Sequence, residues 1–252
     1  MRKKALAPKT IDKPIMILFR AHPLMLLVGL CCLCISCKKD NTPVVDPPET
    51  ITDVDGNIYT TVMIEDQCWM AENLKTERYR NGDTIPTGLS NAAWEATTSG
   101  AAAVFDEIPA NKATYGLLYN WYAVNDVRGI CPDGWKVPSE EEWKTLTDTL
   151  GGTGSAGGAM KTTGTYVTGT GLWTNPNFGA TNSSGFSGLP VGLRLPNGNF
   201  GSFSHYGNWW TATESEFSTD NAWRRALYHG DRTVYRNHVK KEVGFSVRCL
   251  KE

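Results

Sequence analysis

Downstream of Pro138, apolar residues fall at Trp143, Leu146 and Leu150, the spacing of one buried helix face. Ser139 and Glu142 supply a capping box, and Glu140 to Glu142 put negative charge into the first turn. Gly151-Gly152 closes the pattern, which predicts a helix over 139–150. Weaker helical patterns cover 91–97 and 121–125. Three turn dipeptides separate extended segments: Asp55-Gly56 between 51–54 and 57–64, Asn197-Gly198 between 192–195 and 199–203, and Gly230-Asp231 between 223–229 and 232–237. Each supplies the positive φ angles of a tight hairpin turn. Residues 245–250 read as a terminal strand, and Gly, Thr, Asn, Ser and aromatics dominate after Gly152. The pattern predicts one α+β domain over 53–252, with few helices, short antiparallel strands and long loops.

The apolar run from Leu24 to Ile35 does not belong to that domain. Spanning a bilayer takes about 20 apolar residues, so this run is too short to cross one. It has the length of a signal-peptide core and ends at small Ser36, just before Cys37. Ser36-Cys37-Lys38-Lys39-Asp40 resembles a bacterial lipoprotein signal of the kind common in Bacteroidetes. That resemblance implies removal of 1–36, a diacylglycerol on the Cys37 thiol, and a partner in the membrane itself. Each buried methylene contributes about 0.8 kcal/mol, so two or three acyl chains anchor stably. The expected location is the bacterial outer membrane, lipid-anchored, facing the surface or the periplasm. Met16 would begin a more compact signal than Met1. Pro43, Pro47 and Pro48 make 37–52 an extended, lipidated tether.

Processing changes the charge balance. The whole chain has 25 basic and 26 acidic residues, and the part after Cys37 keeps 19 and 25. That excess of acid argues against nucleic acid as a partner. Cys68, Cys131 and Cys249 remain beyond the lipidated residue, in a compartment that permits a disulfide. No two lie at metal-ligand spacing, so no metal site is expected.

The motifs that could carry chemistry have plainer readings. Gly152 to Gly157 has the GxGxxG spacing, but it follows a helix instead of a strand and reads as a flexible helix exit. Asp53 to Asn57 begins like a calcium loop, yet Ile58 and Ile64 stand where Gly and Glu are needed. Neither HExxH nor GxSxG occurs. No catalytic residue and no cofactor is predicted.

Two features are candidates for binding. Seven cations lie between Arg224 and Arg248, opposed only by Asp231 and Glu242. Arg224, Arg225, Arg232 and Arg236 form a candidate strip for an acidic polysaccharide, a sulfate or a lipid headgroup. The alternative is a solvated hairpin face whose charge discourages edge pairing. Trp69, Trp135 and Trp143 sit in apolar contexts and read as core. Trp209-Trp210 is different, because adjacent strand residues point to opposite faces. The candidate reading leaves one ring outside as a sugar-stacking platform, but core or rim packing of both is the preferred one.

Four stretches in order, QCWMAENLK (67–75), YGLLYNWYAV (115–124), ICPDGWKVPSEEEW (130–143) and GFSGLPVGLR (185–194), lead on to NWWTATES (208–215) and GFSVRCL (244–250). Together they resemble the Fibrobacter succinogenes major paralogous domain of bacterial surface lipoproteins. The resemblance implies a C-type-lectin-like fold, similar in layout to the sulfatase-modifying, formylglycine-generating enzymes. It implies neither of the activities associated with that layout. Leu195-Pro196-Asn197 lacks the ligating first oxygen of the calcium-lectin triplet, and the enzyme's second late cysteine has no counterpart beside Cys249. The resemblance also pairs Cys131 with Cys249, with Cys68–Cys249 as the alternative. The expected function is a non-catalytic binding or adhesion module for a glycan or a surface protein. The enzymatic alternative is a carbohydrate-active or oxidative activity on the sulfatase-modifying-factor-like fold.

Overall fold

The computed structural model describes residues 49–252; the apolar run, Cys37 and most of the tether lie outside the described residues. The first hairpin pairs β1 (Thr50–Thr52) with β2 (Ile58–Ile64), so the sheet begins just before the boundary at 53. Gly56 takes the turn at φ 81°, and the Asp53 carboxylate accepts N–H bonds from Asp55 and Asn57 at 3.0 and 2.9 Å. That Asp-centred turn is what DVDGN encodes.

Next come β3 (Gln67–Met70), α1 (Asn91–Ala96), β4 (Ala102–Ala103), a single 3-10 turn (Phe105–Glu107), α2 (Ala110–Tyr115), β5 (Leu118–Tyr119), α3 (Trp121–Val124) and β6 (Trp135–Lys136). Ser90 and Asn120 cap α1 and α3 through side-chain oxygens, which accounts for both short helices appearing where the sequence predicts them. α4 (Glu140–Thr149) carries the full Ser139–Glu142 capping box and buries Trp143 and Leu146. α5 (Ala156–Met160) follows at once. The remainder is β7 (Leu193–Arg194), β8 (Phe200–Gly201), β9 (Tyr206–Glu214), β10 (Asn221–Tyr228), β11 (Val234–Lys240) and β12 (Leu250–Lys251).

These strands form a five-stranded sheet in the order β1-β2-β3-β12-β6, a three-stranded sheet β11-β10-β9, and two short ribbons, β4-β5 and β7-β8. All the pairings between these strands are antiparallel. The fold is α+β.

Two expectations and one candidate site need correction. The glycine-rich stretch after α4 is not a flexible exit: Gly157 donates to the Arg232 carbonyl at 2.8 Å, and a Cβ on Gly158 would lie 2.5 Å from the Gly179 carbonyl. These glycines allow close backbone approach. The terminal strand is broken up, because 245–250 crosses between sheets. Phe245 bridges Tyr119, Ser246 bridges Trp209, and only Leu250–Lys251 joins the five-stranded sheet. Finally, neither Trp209 nor Trp210 is exposed; both have 0% accessibility.

β9 is covered on both faces, which is why both tryptophans are buried. Trp209 enters a cluster with Trp69, Trp143, Phe186 and Leu227, whereas Trp210 enters one with Tyr119, Phe245 and Val247. Each indole N–H is paired, Trp209 to the Asn73 side-chain oxygen at 2.9 Å and Trp210 to the Tyr119 carbonyl at 2.8 Å. Arg248 is buried in the same region, donating to Asn73, Phe186 and Ser187 with its guanidinium 4.1 Å from the Phe186 ring centroid.

Cys131 and Cys249 form a disulfide with Cα atoms 5.9 Å apart, and Cys68 is a buried free thiol. The pairing implied by the family resemblance is the one present.

One surface cluster fixes an acid response. Arg128 grips Asp126 through two hydrogen bonds of 2.8 and 2.7 Å and reaches Asp83 at 3.0 Å. These bonds hold the Asp126 pKa down from 3.8 to about 2. A depressed carboxylate contributes stability that is present above its unfolded pKa and lost as pH falls through the folded value. Asp126→Asn is therefore expected to lose less stability than the parent between about pH 4 and pH 2. Urea unfolding at pH 5 and pH 2.5 measures this, and equal losses in the two proteins would refute it.

Candidate functional site

The basic run does not form one strip. Arg225 is 2% exposed and bonds a Glu140 carboxylate oxygen at the start of α4. Arg236 reaches the same oxygen at 3.1 Å while lying 3.4 Å from the centroid of the Trp223 ring. The pair therefore ties α4 to the β10–β11 hairpin. Burial lowers the Arg225 pKa, and Glu140 opposes that effect. Arg224 leaves the opposite face of β10, donating to the Asn208 side-chain oxygen at 2.7 Å. Arg232 is exposed, but its methylenes pack over Gly158 and Gly179. A charged hollow of about 320 Å³ lies beside Arg225 and Arg236, and its remaining cation, Lys144, pairs with Asp148 at 2.6 Å. Its three cations are all paired within the protein, so it is a structural joint.

The loops build a different site. Among the described residues, eight non-glycines have positive φ. Four of them, Asp106 (55°), Glu107 (54°), Ser202 (58°) and Ser204 (61°), adjoin Phe105 and Phe203. Left-handed backbone at such residues costs on the order of 1–3 kcal/mol each and collects where a fold holds a functional surface. Phe105 and Phe203 stack at 4.7 Å and 25°, and Tyr115 meets Phe203 edge-on at 5.3 Å.

Both turns are tied down. Arg194, 1% exposed, donates to Glu107 at 2.9 Å and to the carbonyls of Gly198 and Leu89 at 2.9 and 2.6 Å. The Ser204 N–H donates to the Pro190 carbonyl at 2.9 Å, and its own carbonyl accepts from Thr174 at 2.7 Å. The Ser202 carbonyl accepts from both His205 and Tyr206 at 3.2 Å.

A cleft beside the Phe203 turn measures about 260 Å³ and is lined by Tyr115, Tyr166, Leu172, Phe203 and Ser204. Tyr166 is 55% exposed and Phe203 37%, whereas Tyr115 is buried and its phenol pKa is raised by that burial. Among the described residues lining the cleft, none is charged. Ser204 shares a 2.8 Å hydroxyl contact with Thr174. Beside Tyr166, Thr165, Thr168 and Thr170 form a hydroxyl chain with contacts of 3.0 and 2.6 Å. The arrangement offers aromatic faces, hydroxyl groups and no acid–base pair.

The partly exposed rings are thus Tyr166 and Phe203, and neither Trp209 nor Trp210 is among them. A usable signal was present for Tyr166, a lone aromatic in a run of Gly and Thr with no apolar periodicity to bury it, whereas Phe203 lies at regular spacing between Phe200 and Tyr206 and gave none.

No curated protein and no solved structure matches the chain. A family model, the Fibrobacter succinogenes major domain, matches residues 62–251, from within β2 to the last strand. That span takes in the disulfide and every residue lining the cleft, and the chain belongs to the Fibrobacter succinogenes major domain family.

Proposed function

We propose that the protein is a non-catalytic binding module, held to the bacterial outer membrane by lipid on Cys37, that takes a glycan or protein partner. Its C-type-lectin-like domain would present the partner site on loops. The observation that carries this reading is the cleft itself: Phe203, held between left-handed Ser202 and Ser204, and Tyr166 both stand partly exposed at its wall. Rigid loops that keep apolar rings in water are a cost to folding that binding explains. The anchor rests on the short apolar run ending in Ser36-Cys37.

Metabolic labelling with an alkyne fatty acid tests the anchor in cells making the full chain. The parent should carry the label and sediment with the envelope, and Cys37→Ala should lose both properties. For the site, purified full chain in detergent should bind glycans or envelope extract, and Tyr166→Ala should weaken that binding. An unlabelled parent removes the anchor, and unchanged binding by Tyr166→Ala removes the cleft.

A further inference from the structure

We infer that the cleft takes a single uncharged pyranose ring, stacked against Phe203 and Tyr166. This rests on the cleft being the partner site and names the chemical class it accepts. The wall supplies the first argument. Aromatic faces are electron-rich and attract weakly positive C–H groups, and one face of a pyranose presents a patch of them. The rim supplies the second, because a sugar needs hydroxyl partners around its edge. Among the lining residues, Ser204 and the two tyrosines carry hydroxyl groups for that.

Size and charge narrow the class. At about 260 Å³ the cleft falls below the usual range of roughly 300–1,000 Å³ for drug-sized ligands. One ring fits that space better than a chain. A uronate or sulfated sugar would bury its charge against an uncharged wall, and a buried charge needs a partner. The Arg194 guanidinium behind Glu107 is already committed to three acceptors. The lining contains no carboxylate to hold a calcium ion between protein and sugar.

A peptide side chain fits less well, since it brings backbone amides that need partners. The backbone groups of the Phe203 turn are already paired within the protein, Ser204 through both its N–H and its carbonyl, and Ser202 through its carbonyl.

Saturation-transfer NMR on the full chain in detergent micelles tests the class. The probes are the methyl glycosides of glucose, galactose, mannose and N-acetylglucosamine, with glucuronate and galacturonate as charged counterparts and acetyl-tryptophanamide as the peptide mimic. At least one neutral glycoside should show transfer to the C–H protons of one ring face, unchanged by EDTA. Tyr166→Ala, at an exposed position, should weaken it about five- to tenfold, the worth of one stacking contact. Phe203→Tyr should retain it. Transfer only to acetyl-tryptophanamide, lost in Tyr166→Ala, would overturn the sugar while leaving the cleft a binding site. A preference for the uronates would overturn the neutral class. Sugar transfer of equal strength in Tyr166→Ala and Phe203→Ala would overturn the cleft itself.

Discussion

Replacing Cys131 and Cys249 together by alanine is expected to cost about 5 kcal/mol of stability. The bond joins residues 118 apart, and loop-closure entropy makes so long a loop costly to leave open in the unfolded chain. Both sulfurs are also buried in the cluster that holds Tyr119 and Trp210, so alanine leaves space there. For a domain of this size, each kcal/mol lowers Tm by about 2–4 °C, which predicts a fall of roughly 10–20 °C. Urea unfolding of the parent and the double variant, both under oxidising conditions, measures the difference. A loss below about 2 kcal/mol would show that the unfolded chain is already compact enough to make closure cheap.

Arg225→Ala should cost about 3–5 kcal/mol, whereas Arg236→Ala should cost less than about 1 kcal/mol. The two guanidiniums share one Glu140 oxygen, but the Arg225 side chain is 3% exposed and that of Arg236 is 44% exposed. Removing Arg225 leaves the largely buried Glu140 carboxylate with only a partly screened partner. Exchanging both Arg225 and Glu140 for methionine should recover most of the loss, since apolar side chains of similar volume avoid the desolvation of two charges. Equal costs for the two arginines would mean that Glu140 is effectively solvated. The contrast also tests whether these residues belong to a structural joint or to a ligand strip.

Local chemistry made much of the fold legible. Ser139 with Glu142 marked α4, and Asp55-Gly56 marked the first hairpin, because caps and turns are satisfied by residues within a few positions. The disulfide was legible only through family resemblance. Spacing alone did not choose between Cys68 and Cys131, and all three cysteines enter one cluster.

What failed needed tertiary context. Arg224 and Arg225 are neighbours in a basic run, but the alternation of β10 sends them to different surroundings. Trp209 and Trp210 alternate as expected, but only the layers on both faces of β9 decide between an exposed platform and the preferred reading that both rings pack. Lys161, which no sequence pattern singles out, buries its ammonium and donates to the carbonyls of Phe178, Tyr228 and Asp231 at 3.0, 2.9 and 2.6 Å. The left-handed turns around Phe105 and Phe203 use Asp, Glu and Ser in place of glycine, so no residue type announced them.

The disulfide loop also governs how the domain responds to tension. Tyr166, Leu172, Phe203 and Ser204 all lie between Cys131 and Cys249, and only Tyr115 lies outside. A pull at residue 49 first loads the three register pairs between β1 and β2. Those strands can peel, but the sulfur–sulfur link shunts mechanical load past the enclosed segment. For a pull between residue 49 and the C-terminus, stretching is confined to the chain before Cys131 and the short tail after Cys249.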